Sequence, residues 1–172
     1  MNLIRCDDSF LEPIREIINQ AIVNSTAIYD YQPRTPETMA AWFATKRQGD
    51  FPVLGAIDEQ GQFLGFGSYG RFRAWPGYKY TVEHSLYVAE RFRGRGVGKR
   101  LLQELITTAR QQQYHVLIGG IDSENVASRK LHEAFAFNHA GTIRQAGYKF
   151  GRWLDLAFYE LILDTPAKPT AD

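Results

Sequence analysis

The chain has 172 residues, 44% hydrophobic and 23% charged, which is enough for one compact globular domain with a sizeable core. The chain has twenty basic and nineteen acidic side chains, which gives a net charge of +1. This near-neutral charge argues against nucleic-acid or anionic-membrane partners and favours a small-molecule or protein partner. The single cysteine, Cys6, and four scattered histidines provide neither a disulfide within the chain nor a zinc cluster.

The first fifty residues predict two helices. Apolar side chains recur at helical spacing through residues 10–24, with Pro13 tolerated in the first turn. Thr35 as N-cap and Pro36 in the first turn then begin a second, shorter helix, which ends near Gly49.

Three strands are expected next. Residues 53–57 and 63–69 are short apolar runs separated by a polar turn that ends in Gly61, which predicts an antiparallel hairpin. Residues 81–88 alternate in polarity, so one face of this strand receives Val82, His84, Leu86 and Val88. The opposite face receives Glu83, Ser85 and Tyr87.

The rest of the chain alternates between helices and strands. A glycine-rich turn at residues 93–99 leads into an amphipathic helix, and strand 116–121, helix 125–135 and strands 137–143 and 153–163 follow. We therefore predict the α/β class, with a mixed sheet in a single domain over residues 1–164 and a flexible C-terminal tail over residues 165–172.

The chain shows no targeting or membrane-spanning pattern. Residues 1–8 are polar and lack a basic region followed by an apolar run, and no apolar stretch approaches the ~20 residues that a membrane span needs. With only one cysteine as well, we expect a cytoplasmic protein.

The glycine-rich turn has the chemistry of an anion site. It consists of Arg93, Gly94, Arg95, Gly96, Val97, Gly98 and Lys99. Glycines let the backbone approach a ligand, the first N–H groups of a helix lack partners, and the helix dipole and nearby cations favour a pyrophosphate. The alternative is that the glycines only permit a tight turn from strand to helix.

Three phosphate-binding motifs compete for this turn. A P-loop requires glycine where Arg93 stands and Ser or Thr where Arg100 stands. A dinucleotide fingerprint requires Gly or Ala where Lys99 stands. A third pattern, Arg/Gln-x-x-Gly-x-Gly/Ala, is satisfied by Arg93, Gly96 and Gly98.

The third pattern resembles the cofactor motif of the GNAT superfamily of acetyltransferases. A second segment is similar to that family's Asn-x-x-(Ser/Ala)-x-x-Leu-Tyr-Glu-x-x-Gly-Phe motif, with Asn125, Ser128, Leu131, His132, Glu133 and Phe137 at the matching positions. It departs from the motif twice, because His132 replaces the family's tyrosine general acid and Ala136 replaces a glycine. Segments 29–36, 81–88 and 146–153 look like the phosphinothricin and methionine sulfoximine acetyltransferase branch.

This resemblance implies a function, a fold and partners. The function is an N-acetyltransferase that passes the acetyl group of acetyl-CoA directly to the amino group of a small amino-acid-like substrate, such as phosphinothricin, methionine sulfoximine or methionine sulfone. The fold is a mixed, mostly antiparallel sheet flanked by helices, in which splayed strands form the acetyl-CoA cleft. A homodimer that uses no metal is also implied.

The resemblance assigns the cofactor site as well. The pyrophosphate would bind the backbone amides of Arg93, Gly94, Arg95, Gly96, Val97, Gly98 and Lys99. The pantetheine arm would pair with the strand at Leu86, Tyr87 and Val88. Asn125 and Ser128 would hold the pantetheine or a phosphate from the far side.

Glu83 and His132 are the candidate catalytic residues. Direct acetyl transfer needs a neutral amine and a proton for the departing thiolate. An unperturbed glutamate titrates near ~4.3, so Glu83 as base requires a raised pKa or a water relay. The alternative is a structural ion pair with Arg71 or Arg73. His132 would protonate the thiolate or order a water, or else lie on a helix surface, whereas His84 is expected to be a packed core histidine.

A loop rich in arginine and aromatic residues is the candidate acceptor site. Arg73, with Arg71 beside it, offers a two-pronged contact to a carboxylate or an oxyanion, unless both are only solvated. Five aromatic residues would wall the acceptor pocket, although such side chains more often serve packing or dimer contacts: Tyr29, Phe72, Trp75, Tyr78 and Tyr80. The predicted substrate-binding set consists of Tyr29, Arg71, Phe72, Arg73 and Glu83.

Two other functions stay open. A protein or peptide N-acetyltransferase would use the same fold on a different acceptor, but the near-zero charge and the short aromatic loop favour a small one. A noncatalytic acetyl-CoA-binding module would keep the glycine turn and lose the base. The presence of both Glu83 and His132 argues against it.

Overall fold

The computed structural model describes residues 1–171, whose strands form one mixed sheet of seven strands in the order β1-β2-β3-β4-β5-β7-β6. In chain order the strands and α-helices are β1 (Asn2–Arg5), α1 (Leu11–Asn24), α2 (Pro36–Gln48), β2 (Val53–Ile57), β3 (Phe63–Arg71), β4 (Thr81–Val88), α3 (Val97–Gln111), β5 (Val116–Asp122), α4 (Val126–Glu133), β6 (Asn138–Lys149) and β7 (Arg152–Ile162). The predicted mixed α/β fold is confirmed.

The helices form where the sequence pattern places them. Helix α1 buries one apolar stripe that runs from Ile14 to Ile22. Helix α2 begins at its predicted cap, where the side chain of Thr35 accepts a hydrogen bond from Thr38 N at 3.2 Å. Helix α3 buries Val97, Leu101, Leu102, Leu105, Ile106 and Ala109.

The two faces of the sheet carry separate apolar cores. On β4, Val82 and Leu86 pack into the core beneath α3, whereas Tyr87 packs with Phe66 into the core beneath α1 and α2. The alternation predicted for residues 81–88 is therefore confirmed. Because Glu83 lies on the same face as Tyr87, its side chain is on the α1 and α2 side of the sheet.

Strands β4 and β5 separate halfway along their length. They pair in parallel only from Thr81↔Val116 to His84↔Gly119. Beyond that point β4 continues to Val88 against β3, while β5 pairs with β7 as far as Asp122↔Leu156. The expected splayed strands are therefore present, and the opening lies at the carboxyl ends of β4 and β5.

Two features of the strands differ from the sequence analysis. Strand β1, which was not predicted, pairs antiparallel with β2, and its four residues are too few to show a period in the sequence. Strand β6 reaches Lys149 instead of residue 143. Register shifts between His139 and Gly141 and between Ile143 and Gly147 break its alternation, which hides the strand from a period-two search.

The C-terminal segment and the membrane prediction bring two further observations. Residues 165–171 form no helix or strand, but Thr165 O accepts a hydrogen bond from His115 Nδ1 at 2.8 Å and Thr170 N donates to Tyr80 Oη at 3.0 Å. Asp172, the last residue of the predicted tail, lies outside the described residues. Over residues 1–171, no helix is both long and apolar enough to cross a membrane.

Candidate active site

The opening between β4 and β5 holds two adjoining cavities. One, of about 740 Å³, extends from the end of α1 to the glycine turn, and the other, of about 280 Å³, surrounds Glu83. Six residues line both: Thr26, Ala27, Leu86, Tyr87, Asn125 and Ser128. The cavities therefore form one continuous groove, which joins the predicted anion site to the predicted base.

The glycine turn presents free backbone donors to the larger cavity. Gly96, the N-cap of α3, has φ 79°, and no side chain caps the helix. The first hydrogen bond of the helix runs from Arg100 N to Gly96 O, so the amides of Val97, Gly98 and Lys99 are not used within it. A Cβ at Gly96 would meet no atom within 4 Å, which means that backbone conformation, and not packing, calls for glycine here.

The predicted second cofactor segment has a structural task. Asn125 Oδ1 accepts a hydrogen bond from Ser128 N at 3.0 Å and thereby caps α4. Leu86, Tyr87 and Val88 line the same groove where β4 has no partner strand on the β5 side. These residues are therefore placed together, as the resemblance implied.

Glu83 projects between two glycines. Its cross-strand neighbour on β3 is Gly70, and a Cβ at Gly120 would lie 3.2 Å from Glu83 Oε1. Among residues 1–171 no cationic nitrogen lies within 4 Å of its carboxylate, so the ion pair considered with Arg71 or Arg73 is not formed. Burial raises the pKa of Glu83, and the charge of Arg73 opposes this shift.

His132 is buried against His84 instead of lying on the helix surface. The two residues are 3% and 5% exposed, and their Nε2 atoms are 2.8 Å apart. A Cβ at Gly119 would stand 3.0 Å from His84 Cε1 and 3.2 Å from His132 Nε2, so glycine at this position admits the pair. As expected, His84 is packed in the core and hydrogen-bonded through Nε2, while its buried Nδ1 has no hydrogen-bond partner among residues 1–171.

The hydrogen bonds determine where the protons of the pair lie. His132 Nδ1 is 2.7 Å from Ser128 O, a carbonyl that only accepts, so Nδ1 carries the proton. In the neutral pair, His132 Nε2 is then the acceptor and His84 Nε2 the donor. Burial first, and the adjacent His132 ring second, lower the pKa of His84 from 6.5 to about 3, while the backbone of Ile118 opposes this shift. Burial also lowers the pKa of His132, so both rings are neutral near pH 7.

Nitrogen NMR of the protein without ligands is expected to confirm this arrangement near pH 7. It should show His132 protonated on Nδ1 alone and His84 on Nε2 alone. The pKa of His84 in the folded protein lies below its ordinary value of 6.5, so the neutral ring contributes stability that is lost as the pH falls from 6.5 toward about 3. Thermal unfolding at several pH values would record this loss. A His132 ring that carries protons on both nitrogens at pH 7 would contradict the assignment.

The predicted acceptor residues are only partly brought together. Tyr29 lines the cavity around Glu83, whereas Arg71, Phe72 and Arg73 line neither cavity. The Arg73 guanidinium lies 4.8 Å above the Phe72 ring. Arg71 and Arg73 are both exposed, so their reach toward an acceptor depends on the side-chain conformation that they adopt.

Sequence reasoning missed several residues that shape the groove. Gly119 and Gly120 admit the histidine pair and the Glu83 side chain, and two adjacent glycines inside a strand are a signal of close approach that would have identified them. Thr26, Ala27 and Ile28, in the loop after α1, line the cavity around Glu83 without any motif in the sequence.

Comparison with known proteins finds similarity to acetyltransferases in both sequence and structure. The acetyltransferase (GNAT) family profile matches residues 14–137. An L-methionine sulfoximine/L-methionine sulfone acetyltransferase of Pseudomonas aeruginosa is 46% identical over 154 residues, which span 90% of each chain. An N-acetyltransferase structure from Staphylococcus aureus Mu50 is 47% identical, with a TM-score of 0.91 over 94% of this chain and 97% of that one.

A third comparison concerns the cofactor. A phosphinothricin acetyltransferase of Sinorhizobium meliloti, solved in complex with AcCoA, is 33% identical to this chain. Its TM-score is 0.94 over 98% of this chain and 92% of that one.

Proposed function

The chain belongs to the acetyltransferase (GNAT) family, and from that premise we propose that it transfers the acetyl group of acetyl-CoA to the amino group of a small amino-acid-like substrate. Methionine sulfoximine, methionine sulfone and phosphinothricin are the proposed acceptors, after the names of the relatives. The observation that carries this proposal is the continuous groove from the free amides at the start of α3 to the half-buried carboxylate of Glu83.

The groove accommodates acetyl-CoA in one direction. The pyrophosphate is placed on the amides of residues 94–99, where free N–H groups and the helix dipole coincide and the cationic side chains of Arg93 and Lys99 line the cavity. The pantetheine arm then follows the unpaired edge of β4 at Leu86, Tyr87 and Val88 toward Glu83. Asn125 and Ser128 face it from α4. The complex of the Sinorhizobium meliloti relative with AcCoA supports this cosubstrate.

Glu83 is assigned as the base. It takes a proton from the acceptor ammonium, and the neutral amine then attacks the carbonyl carbon of the thioester. As the carbon–sulfur bond breaks, the new amide loses a proton and the thiolate gains one. The raised pKa of Glu83 brings its basicity closer to that of an amine, which supports this role.

His132 is assigned to the proton of the thiolate, which it either donates itself or orders a water to deliver. Its Nδ1 proton is held by Ser128 O and its Nε2 is occupied by His84, so the neutral ring has no proton of its own to give. Since both ring nitrogens are used, either role requires the hydrogen bond between His132 Nε2 and His84 to break first.

The size of the acceptor cavity favours a small substrate. At about 280 Å³ it is at the lower end of small-molecule pockets, which supports an amino acid over a protein or peptide chain. A base with a raised pKa facing the groove also favours an enzyme over a noncatalytic acetyl-CoA-binding module.

Oligomeric state, cellular location and metal use remain predictions. We propose a homodimer, which exposed Tyr148 and Trp153 on the β6–β7 hairpin support, at 47% and 59% exposure. Cytoplasmic location and activity without a metal are predicted from the sequence and from the family resemblance.

The Arg73→Ala variant is expected to lose kcat/KM for methionine sulfoximine by about one to two orders of magnitude, since a charge-assisted hydrogen bond contributes roughly 1.5–3 kcal/mol. The amine that lacks the carboxylate should be affected much less. Arg73→Lys should rescue only partly, because an ammonium keeps the charge and cannot form a two-pronged contact. Initial rates of thiol release with both acceptors measure the effect.

A matched control separates this role from loop packing. Arg91 stacks on Phe92 at the same 4.8 Å distance and lines neither cavity, so Arg91→Ala should leave both rates unchanged. If Arg73→Ala lowers both acceptors equally, Arg73 does not read the carboxylate. If it lowers neither, Arg73 is a solvated loop residue.

A further inference from the structure

Lys149 is a buried lysine at the end of β6 that the proposed chemistry does not use. It is 4% exposed, and its Nζ donates to three carbonyl oxygens: those of Ile22 at 2.6 Å, Ser25 at 2.9 Å and Ile28 at 2.7 Å. An ammonium group has three protons, so every donor is used.

The position of this ammonium has an electrostatic reason. Ile22 O is among the last four carbonyls of α1, which have no partner within the helix and lie at the negative end of its dipole. No carboxylate among residues 1–171 lies within 4 Å of Lys149, so the three carbonyls compensate its charge. Removing the ammonium would leave these carbonyls without a donor.

Two neighbours of Lys149 hold the same loop. A Cβ at Gly147 would lie 2.5 Å from Tyr29 Cδ2, so glycine lets the Tyr29 ring pack directly on β6. Tyr31 Oη donates to Tyr148 O at 2.6 Å. Three consecutive residues of β6 therefore contact the loop at residues 25–31 through an ammonium, a backbone surface and a carbonyl.

This loop forms one wall of the groove. Thr26 and Ala27 line both cavities, and Ile28 and Tyr29 line the cavity around Glu83. Of the carbonyls bound by Lys149, those of Ser25 and Ile28 lie on either side of Thr26 and Ala27 in the chain. If the loop loosened, the shape of the acceptor cavity would therefore change, while Glu83 would stay in place on β4.

We propose that Lys149 is a positioning residue for acceptor binding, which fixes the loop at residues 25–31 as the wall of the cavity around Glu83. The inference rests on the proposed function, and it gives a physical task to segment 146–153, which the catalytic assignment leaves without one. Lys149 does not touch the reacting atoms. Its removal should change acceptor affinity while the chemical step proceeds.

Lys149→Met keeps the length of the side chain and removes its three donors. Because the loop loses three charge-assisted hydrogen bonds, KM for methionine sulfone should rise by about tenfold or more. The value of kcat at saturating acceptor should stay within about threefold. Lys168→Met, which changes an exposed lysine far along the chain, should leave both constants unchanged.

Gly147→Ala tests the same loop without touching the ammonium. Its new methyl group must displace the Tyr29 ring, so it should also raise KM for methionine sulfone and spare kcat. Because both substitutions act through one loop, the double variant should raise KM by less than the product of the two single effects. Multiplied effects, or a fall in kcat at unchanged KM in both single variants, would overturn the proposal.

Hydrogen exchange separates this inference from the proposed function. In Lys149→Met the amides of residues 26–31 should exchange faster than in the wild type, and those of α3 should not change. This measurement needs no turnover, so it remains decisive if the wild-type protein fails to acetylate methionine sulfone, a result that would reject the proposed function alone. Unchanged exchange over residues 26–31 would overturn the role of Lys149.

Discussion

Glu83→Gln is expected to lower kcat for acetyl transfer by about two to four orders of magnitude, the usual contribution of a general base. The substitution keeps the shape of the side chain and removes its basicity. The dissociation constant of acetyl-CoA should not change, because Glu83 lines only the smaller cavity. Stopped-flow or steady-state thiol release gives kcat, and calorimetry gives the dissociation constant.

The pH dependence identifies the group that is lost. Burial raises the pKa of Glu83, and the reaction needs the carboxylate form, so the wild-type rate should fall as the pH drops through that raised pKa. The Gln variant should lack this acidic limb. Glu59→Gln, an exposed change in the turn after β2, should keep both the rate and the limb.

The stability of Glu83→Gln provides an independent check. An acid whose pKa is raised by folding makes the folded state most stable when it is protonated, and that stability is lost as the pH rises through the raised pKa. At neutral pH the charge of Glu83 therefore costs stability, and Gln should be at least as stable as Glu. If Glu83→Gln keeps wild-type turnover, Glu83 has a structural role and is not the base. If the variant loses turnover only because it unfolds, the loss is no evidence that Glu83 acts as the base.

Gly96→Ala is expected to weaken acetyl-CoA binding by about 10- to 100-fold, as one or two charge-assisted hydrogen bonds to the pyrophosphate are lost. Gly96 has φ 79°, which an L side chain adopts at a cost of roughly 1–2 kcal/mol. Relaxing this strain turns the amides of Val97, Gly98 and Lys99 away from the groove. Calorimetric titration with acetyl-CoA measures the loss.

Gly61 supplies a matched control for this substitution. It has φ 77° in the turn between β2 and β3, and a Cβ there meets nothing within 4 Å, as at Gly96. Gly61→Ala should therefore lose similar stability and keep full acetyl-CoA affinity. Equal affinity in the two variants would show that the pyrophosphate does not bind the turn.

The sequence predicts the elements of this site better than the contacts between them. The alternation of β4 separates Glu83 from His84 because a strand has a period of two, and the structure confirms it. The burial of His132 cannot be predicted from such a pattern in the sequence. Helix α4 has only eight residues, and the gap that its histidine fills exists only because β4 and β5 part beside Gly119.

Charged side chains were the hardest to place. A lysine in a polar hairpin is usually solvated, yet Lys149 is buried because a chain segment more than a hundred residues away brings three carbonyls to it. The ion pair considered between Glu83 and Arg71 or Arg73 is not formed, because both arginine side chains are exposed whereas Lys149 is buried. Arg71, at the end of β3, and Arg73, in the loop that follows, are both exposed, and no local pattern specifies the directions of their side chains.

Acetyl transfer to a small amine is tested by incubating the purified protein with acetyl-CoA and methionine sulfone, with thiol release and product mass followed together. We expect one thiol to be released for each molecule of methionine sulfone that gains an acetyl group on its amino nitrogen, and no release without the amine. Thiol release that is independent of methionine sulfone, methionine sulfoximine and phosphinothricin, or acetylation of a protein or peptide chain in place of these amines, would contradict this expectation.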